Sequence, residues 1–443
     1  MRLNVLMTDQ QGNALPPSET GDAGDAHVPG SVWDFSASDD PAWVGGDTPS
    51  EGTSRTLRPG EGTAPAGESI EVRLAWLELP ERLEQHRLPM PPDTADFLQV
   101  AQLGNMLTSL FWGHHDFYVS PAEKLAGAHA RPDLITRYVI ALLQHGDSEG
   151  FDADGRIIGY GVLRLPQDTG AVTAQAWVGV HPGFRRRGVG TALAQAVEDG
   201  AREAGRTVLQ SWTDHRLLGD ETEQHLQLDP SRPDAVFARS RGFASAQTEL
   251  VSVLDLSSAS GVASQVTSQA QQADQAEPRQ AGQYEVIGWT GTCPPEHLES
   301  FAELIGRMSQ DAPAGQLTVE TERWDADRVR RMEAAREAEG LVVITAAVRH
   351  RSSGMIVGHS DIESYEYLPQ AAYQANTLIH PDHRGQRLAL LLKAQNVLCL
   401  LQVRPEAERL YTWNAIENTS ILRTNARLGF TPTALMAAWE KSL

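Results

Sequence analysis

Two widely separated stretches repeat one pattern, and that pattern constrains this chain more than anything else in it. The first contains Val178-Gly-Val-His-Pro182, then Arg185-Arg-Arg-Gly188-Val-Gly190, then an apolar run. The second contains Leu378-Ile-His-Pro381, then Arg384-Gly-Gln-Arg387, then Leu388-Ala-Leu-Leu-Leu392. Each reads as a strand stopped by proline, a basic glycine-containing turn, and a helix. The first N–H groups of such a helix are unpaired and carry the positive end of its dipole, so they face whatever sits in the turn. Arginines beside them make a pyrophosphate the natural guest. One copy alone also fits an ordinary strand-to-helix turn with surface arginines. Two copies in matching contexts point to a tandem repeat of one nucleotide-tail-binding domain.

Length and charge set the frame. A chain of 443 residues holds two or three domains, each with its own core. A net charge of -21 argues against a nucleic-acid partner, since a phosphate backbone needs a basic face. The opening Met1-Arg-Leu-Asn-Val-Leu-Met is too short in its apolar part for a signal peptide, and no run of about 18 apolar residues suggests a membrane span. A cytoplasmic protein is expected. With only Cys293 and Cys399, no disulfide framework is expected. His114, His115, His380 and His383 lack metal-ligand spacing with carboxylate or Cys partners, so no metal is expected.

Along the chain, residues 1–67 are acidic and rich in Gly, Pro and Ser, and read as a disordered tail. Order is expected from residue 68, where Ile70, Val72 and Leu74 alternate as in a strand. Helices are read over 94–112 and 120–143, and an Asp152-Ala-Asp154-Gly155 turn joins two strands, the second over 156–165. A strand over 171–181 feeds the first loop, whose helix carries Leu193, Ala196, Val197, Gly200 and Ala201 inward. A strand over 207–212, a polar insertion over 219–232, a short helix near Pro233 and a strand through 250–254 complete a domain over 68–255. Residues 256–282 are rich in Ser, Ala and Gln and read as a flexible linker in which a short helix can form. The same order then repeats over 283–443.

Both loops resemble the acyl-CoA-binding loop of the GNAT acyltransferase superfamily, whose signature is Arg or Gln, two residues, Gly, one residue, then Gly or Ala. Arg185, Arg186, Arg187, Gly188, Val189 and Gly190 match it throughout. In Arg384, Gly385, Gln386, Arg387, Leu388 and Ala389, an arginine stands where the first glycine belongs, with Gly385 nearby to supply flexibility. The resemblance implies an α/β (α+β) fold of two tandem domains, each a mixed, mostly antiparallel central sheet flanked by helices. It implies acetyl-CoA as co-substrate, held by these loops and by the strand residues Val178, Val180, Leu378 and Ile379. It also implies that Asn414 and Asn418 hold the pantetheine arm, although Asn418 reads equally well as a helix N-cap. Two such domains in one chain are similar to actinobacterial tandem members such as mycothiol synthase.

The chemistry implied is N-acetyl transfer to a small-molecule or peptide amine by direct attack in a ternary complex, in a monomer or dimer. An alkyl ammonium must first lose a proton, so a base is required. Where relatives often carry a Glu base, this chain has Gln175 and Gln374, and where they carry a Tyr acid it has Ala238 and Asn425. Asp361 and Glu363 lie two apart and share one strand face, so they are the candidate carboxylates, unless they sit at a solvated strand end. Asp361 is expected roughly opposite Ala375. The second half, with Asn414, Asn418, Asn425 and a chain end at Leu443 able to reach the cleft, is expected to carry the chemistry. The rival reading is a non-catalytic acyl-CoA-binding or sensing protein.

Overall fold

Buried runs rich in Val, Ile and Leu form the strands of this protein, and amphipathic or apolar runs form its helices. The computed structural model describes residues 53–57 and 70–443, less 85, 87–89, 132, 146–155, 169, 218–225, 227, 277–282, 312 and 321. The chain runs β1 (Thr53–Leu57), β2 (Ile70–Trp76), α1 (Pro92–Trp112), α2 (Pro121–His129), β3 (Leu134–His145), β4 (Ile157–Pro166), β5 (Thr173–Val180), α3 (Val189–Glu203), β6 (Val208–Arg216), α4 (Pro233–Ser240) and β7 (Ala244–Asp255). After α5 (Leu256–Ala276) come β8 (Tyr284–Thr290), α6 (Leu298–Gly306), the single turn α7 (Met308–Asp311), α8 (Ala326–Ala338), β9 (Leu341–His350), β10 (Ile356–Tyr365) and β11 (Ala371–Ile379). Then α9 (Leu388–Val403), β12 (Arg409–Ala415), α10 (Thr419–Leu428) and β13 (Thr431–Ser442) complete the chain.

All the described strands join one sheet, in the order β1-β2-β3-β4-β5-β6-β13-β7-β12-β11-β10-β9-β8. Only β5–β6 and β11–β12 pair in parallel; the remaining neighbours are antiparallel. This is the tandem two-domain, mostly antiparallel α/β fold that the doubled motif implied. The two halves have exchanged their last strands. β13 lies between β6 and β7, while β7, the last strand of the first half, pairs with β12 of the second. Leu435, Ala437, Ala438 and Trp439 of β13 are buried there. A buried side chain the size of Leu435 contributes up to about 2 to 3 kcal/mol of transfer free energy and each alanine roughly 1, so the seam is a continuation of the core. Leu443 consequently packs on the first half's core and donates its N–H to Thr207, so the chain end does not reach the second half's cleft.

One face of the sheet carries α3, α5 and α9, and the other carries α1, α2, α6 and α8. On that second face each half reaches across to the other. The turn after α1 sends Asp116 onto β11–β12, where it takes hydrogen bonds from Arg409 and Tyr411. The segment after α7 crosses β7, β13, β6 and β5 in turn, through Pro313 to Gln247, Thr318 to Glu440 and Gln210, and Glu320 to the N–H groups of Val172 and Thr173.

Three expectations need correction. Residues 134–145 are a strand and not the end of a helix, because β3 is buried on both faces and so loses the alternation that marks a half-buried strand. The segment read as a linker is α5, with Leu256, Ala259 and Ala263 buried against α9 and Ser257 bonded to Asp255 at its start. Within the segment read as a tail, Thr53–Leu57 pairs with β2. The Asp152–Gly155 turn and most of the 219–232 insertion lie outside the described residues.

Candidate functional site

The two loops share one backbone path and distribute glycine differently along it. Each needs two residues in the left-handed region: Arg186 (φ 63°) and Gly188 (φ 86°) in the first, Gly385 (φ 82°) and Arg387 (φ 57°) in the second. A non-glycine residue there costs roughly 1 kcal/mol, so each loop carries one such cost, at opposite positions. The glycine missing from the signature's site, where Arg387 stands, is thus offset by Gly385. Arg185 and Arg384 brace their loops alike, donating from Nε to the carbonyls of Val180 (3.1 Å) and Ile379 (3.0 Å). Arg384 also pairs with Asp311 at 3.2 Å.

The halves differ just before the loop. In the second, the parallel ladder runs from Ala371↔Arg409 to Gln374↔Thr412 and then stops, leaving one edge of β11 without a strand partner from Ala375 onward. There β11 carries an extra residue relative to β10, between the pairs Ser360↔Thr377 and Ile362↔Gln374. This bulge at Ala375–Asn376 turns the side chains of Thr377 and Ile379 to the face that Gln374 occupied. The buried Gln374 amide fills the irregularity, donating to the carbonyl of Asp361 at 2.6 Å. In the first half β5 pairs with β4 in unbroken register from Gln175 to Val180. Counted from the start of each parallel ladder, Trp177 and Trp212 correspond to Ala375 and Trp413. Trp177 and Trp212 stack across the first half's splay, centroids 5.6 Å apart. An alanine in place of one tryptophan leaves the second half's splay open.

A cavity of about 760 Å³ occupies that opening. Leu378, Ile379, Arg384, Gly385, Arg387, Leu388, Ala389, Asn414 and Asn418 all line it; Gln386 does not. Arg423 and Arg427 of α10 add two cations to its wall. Asn418 caps α10, accepting from the N–H of Ile421, and its side chain also faces the cavity. Asn425 is buried behind it and donates to Asn414 Oδ1 at 2.6 Å. The first-half residues Val178, Val180, Arg186, Arg187, Val189 and Gly190 surround the corresponding loop, with Val178, Val180 and Val189 packed into the core beneath it.

The carboxylates picked out from the sequence lie elsewhere. Asp361 sits at the bulge, near Ala375 as expected, yet it is buried on the α6–α8 face and does not line the cavity. Burial alone would raise its pKa, but the charge and hydrogen bond of His359 (3.2 Å) and the charge of Arg336 hold it below the ordinary value. Glu363 is paired with Arg336 at 2.8 Å, and burial keeps its pKa above the usual value. Two cavity groups escaped the sequence reading. Lys393 on α9 is 1% exposed, lies 5.5 Å over the Phe430 ring, and is pushed down to about 7 by burial. Glu249, on β7 of the first half, is pushed up to about 7 by burial and by Glu417 beside it. No local pattern marks either one, since a lone Lys in a leucine run and a Glu in a strand acquire meaning only from what packs around them.

Residues 115–217 match the model of the acetyltransferase (GNAT) family. The match spans the loop with the full signature and stops short of the half that holds the cavity. A tandem GNAT protein from the clavulanic acid biosynthesis pathway, solved without AcCoA, superposes with a TM-score of 0.60 at 23% identity, over 83% of this chain and 98% of that one. A GCN5-related glucosamine N-acetyltransferase region in a fungal multi-domain GH3 β-N-acetylglucosaminidase gives 0.53 at 13% identity, over 85% of this chain and 39% of that one. A GCN5-related N-acetyltransferase from Sphaerobacter thermophilus gives 0.48 at 15%, over 80% and 93%. The first likeness shows the fold of a tandem GNAT protein, and the second is likewise one of fold. No curated protein sequence matches the chain. Among the described residues no cluster of His, Cys, Asp and Glu could hold a metal, and no helix is long and apolar enough to cross a membrane.

Proposed function

We propose that this chain is an acyl-CoA-dependent N-acyltransferase that moves an acetyl group from acetyl-CoA to a primary amine by direct attack, and that the second half houses the reaction. The observation that carries this is the cavity running from the start of α9 into the splay between β11 and β12. Its residues fit the co-substrate. The first N–H groups of α9, with Arg387, Arg423 and Arg427, suit a pyrophosphate. The unpaired edge of β11 offers main-chain donors and acceptors to an extended pantetheine, as an added strand would use them. Asn414, fixed by Asn425, and Asn418 supply amides beside that edge. The bulge at Ala375–Asn376 presents main-chain groups where a developing oxyanion would be stabilised. The first half, with its stacked tryptophans and regular ladder, acts as scaffold.

Titration calorimetry of acetyl-CoA into the intact chain is expected to give one site, and thiol release in the presence of an amine panel is expected to report turnover. Absence of acetyl-CoA binding would sink the proposal. The rival reading, acyl-CoA binding without turnover, draws support from Asn425 standing where relatives carry a tyrosine acid. Acetyl-CoA binding with no thiol release from any amine would favour it.

A further inference from the structure

Glu249 reaches the second half's cavity from the first half of the chain. It stands on β7 directly opposite Ala415 of β12, with Val251 and Val253 opposite Trp413 and Tyr411. Residues opposite one another in an antiparallel pair share a face, so Glu249 lies on the α1–α6 side of the sheet while α9 lies on the other. It lines the cavity together with Trp413, Asn414 and Ala415. The cavity therefore passes through the sheet, with its basic end at the α9 loop and a carboxylate on the far side. Strand exchange creates this arrangement. Counted along the parallel ladders, Asp214 corresponds to Ala415, and its partner on β13 is Met436. Had each half kept its own last strand, Met436 would stand where Glu249 stands.

We infer that Glu249 is the general base of the second half's site, taking a proton from the ammonium form of a primary aliphatic amine that enters from the α1–α6 face. This rests on the acyltransferase reading above. Among the described residues Glu249 makes no ion pair or side-chain hydrogen bond, unlike Asp361 and Glu363, which are tied to His359 and Arg336. Burial and the neighbouring Glu417 bring it to about 7, the range in which a carboxylate both exists at neutral pH and accepts a proton usefully. Asp214 lies in the same row beyond Met436, and burial pushes it up to about 6. Besides Arg384 and Arg387 of the α9 loop, Asp311, Lys393, Arg423 and Arg427 are the other charged groups that line the cavity.

The step balances as follows. One ammonium proton passes to the Glu249 carboxylate, and the freed nitrogen lone pair forms a bond to the thioester carbonyl carbon. The C–S bond breaks, the thiolate takes up the second nitrogen proton, and Glu249 returns its proton to water. Amide, free thiol and one released proton result.

The test uses the full chain and Glu249→Gln, with n-butylamine, glucosamine and a lysyl peptide as acceptors. The variant is expected to bind acetyl-CoA within about twofold of wild type. It should lose about 10²-fold or more in kcat/KM, together with the limb of the pH profile near 7, on whose alkaline side the wild type is active. Infrared difference spectra between wild type and variant should show a protonated carboxyl that titrates near pH 7. Glu249→Asp should keep the limb at reduced rate, which excludes misfolding as the cause. Unchanged turnover and pH profile in Glu249→Gln overturn the inference, as does refusal of every amine by a chain that binds acetyl-CoA. Failure of the intact chain to bind acetyl-CoA overturns the acyltransferase reading instead.

Discussion

Lys393 offers the sharpest physical test of the cavity. The residue is 1% exposed on α9, and its ammonium lies 5.5 Å over the Phe430 ring. Burial moves its pKa from 10.5 to about 7. That gap of 3.5 units, at about 1.4 kcal/mol each, corresponds to a folding penalty of up to roughly 5 kcal/mol when the lysine is charged in the unfolded chain. The sign follows from proton counting. Between pH 7 and 10.5 the unfolded chain holds a proton that the folded one has released, so stability rises with pH across that window. Well below pH 7, where both states hold the proton, the penalty is complete. Lys393→Met keeps the stem's shape and removes the charge. Urea unfolding should therefore show the variant roughly 3 to 5 kcal/mol more stable at pH 7 and only about 1 kcal/mol more stable at pH 9.5, with an unchanged m-value. A variant no more stable at pH 7, or a gain that does not shrink with pH, would refute the reasoning.

Other outcomes can be stated briefly. Ala389→Glu, which places an anion at the start of α9, is expected to abolish acetyl-CoA binding by calorimetry, whereas Gly188→Glu in the first half should leave it within threefold; the reverse pattern would mean the other half holds the site. Arg387→Gly relieves the left-handed strain and should raise unfolding free energy by about 1 kcal/mol while weakening acetyl-CoA binding through loss of a cavity cation. Asp361→Asn breaks a buried pair with His359 and is expected to cost about 3 to 5 kcal/mol of stability, read by urea midpoint, with little change in acetyl-CoA affinity.

The sequence determined the repeat, the strand-loop-helix order and the positions of both loops, because these depend on local chemistry. Proline ends a strand, glycine permits a positive φ, and arginines beside a helix start attract anions whatever the rest of the chain does. Of the second-half residues it named for the co-substrate, all but Gln386 line the cavity. The exchange of β7 and β13 was not legible, since both strands have similar buried patterns and nothing local says which parallel pair each will join. Nor was the closure of the first half's splay, because the better signature at Arg185–Gly190 says nothing of the stacking of Trp177 on Trp212 across two strands. Asp361 was singled out as a strand carboxylate, while its partner His359 and its place behind the bulge depend on β10 and β11 being assembled. Glu249 is the clearest case. Its sequence neighbours mark an ordinary strand; tertiary structure carries that strand into the other half's sheet and buries the carboxyl beside a cavity, and low local polarity there, together with Glu417, sets its proton affinity.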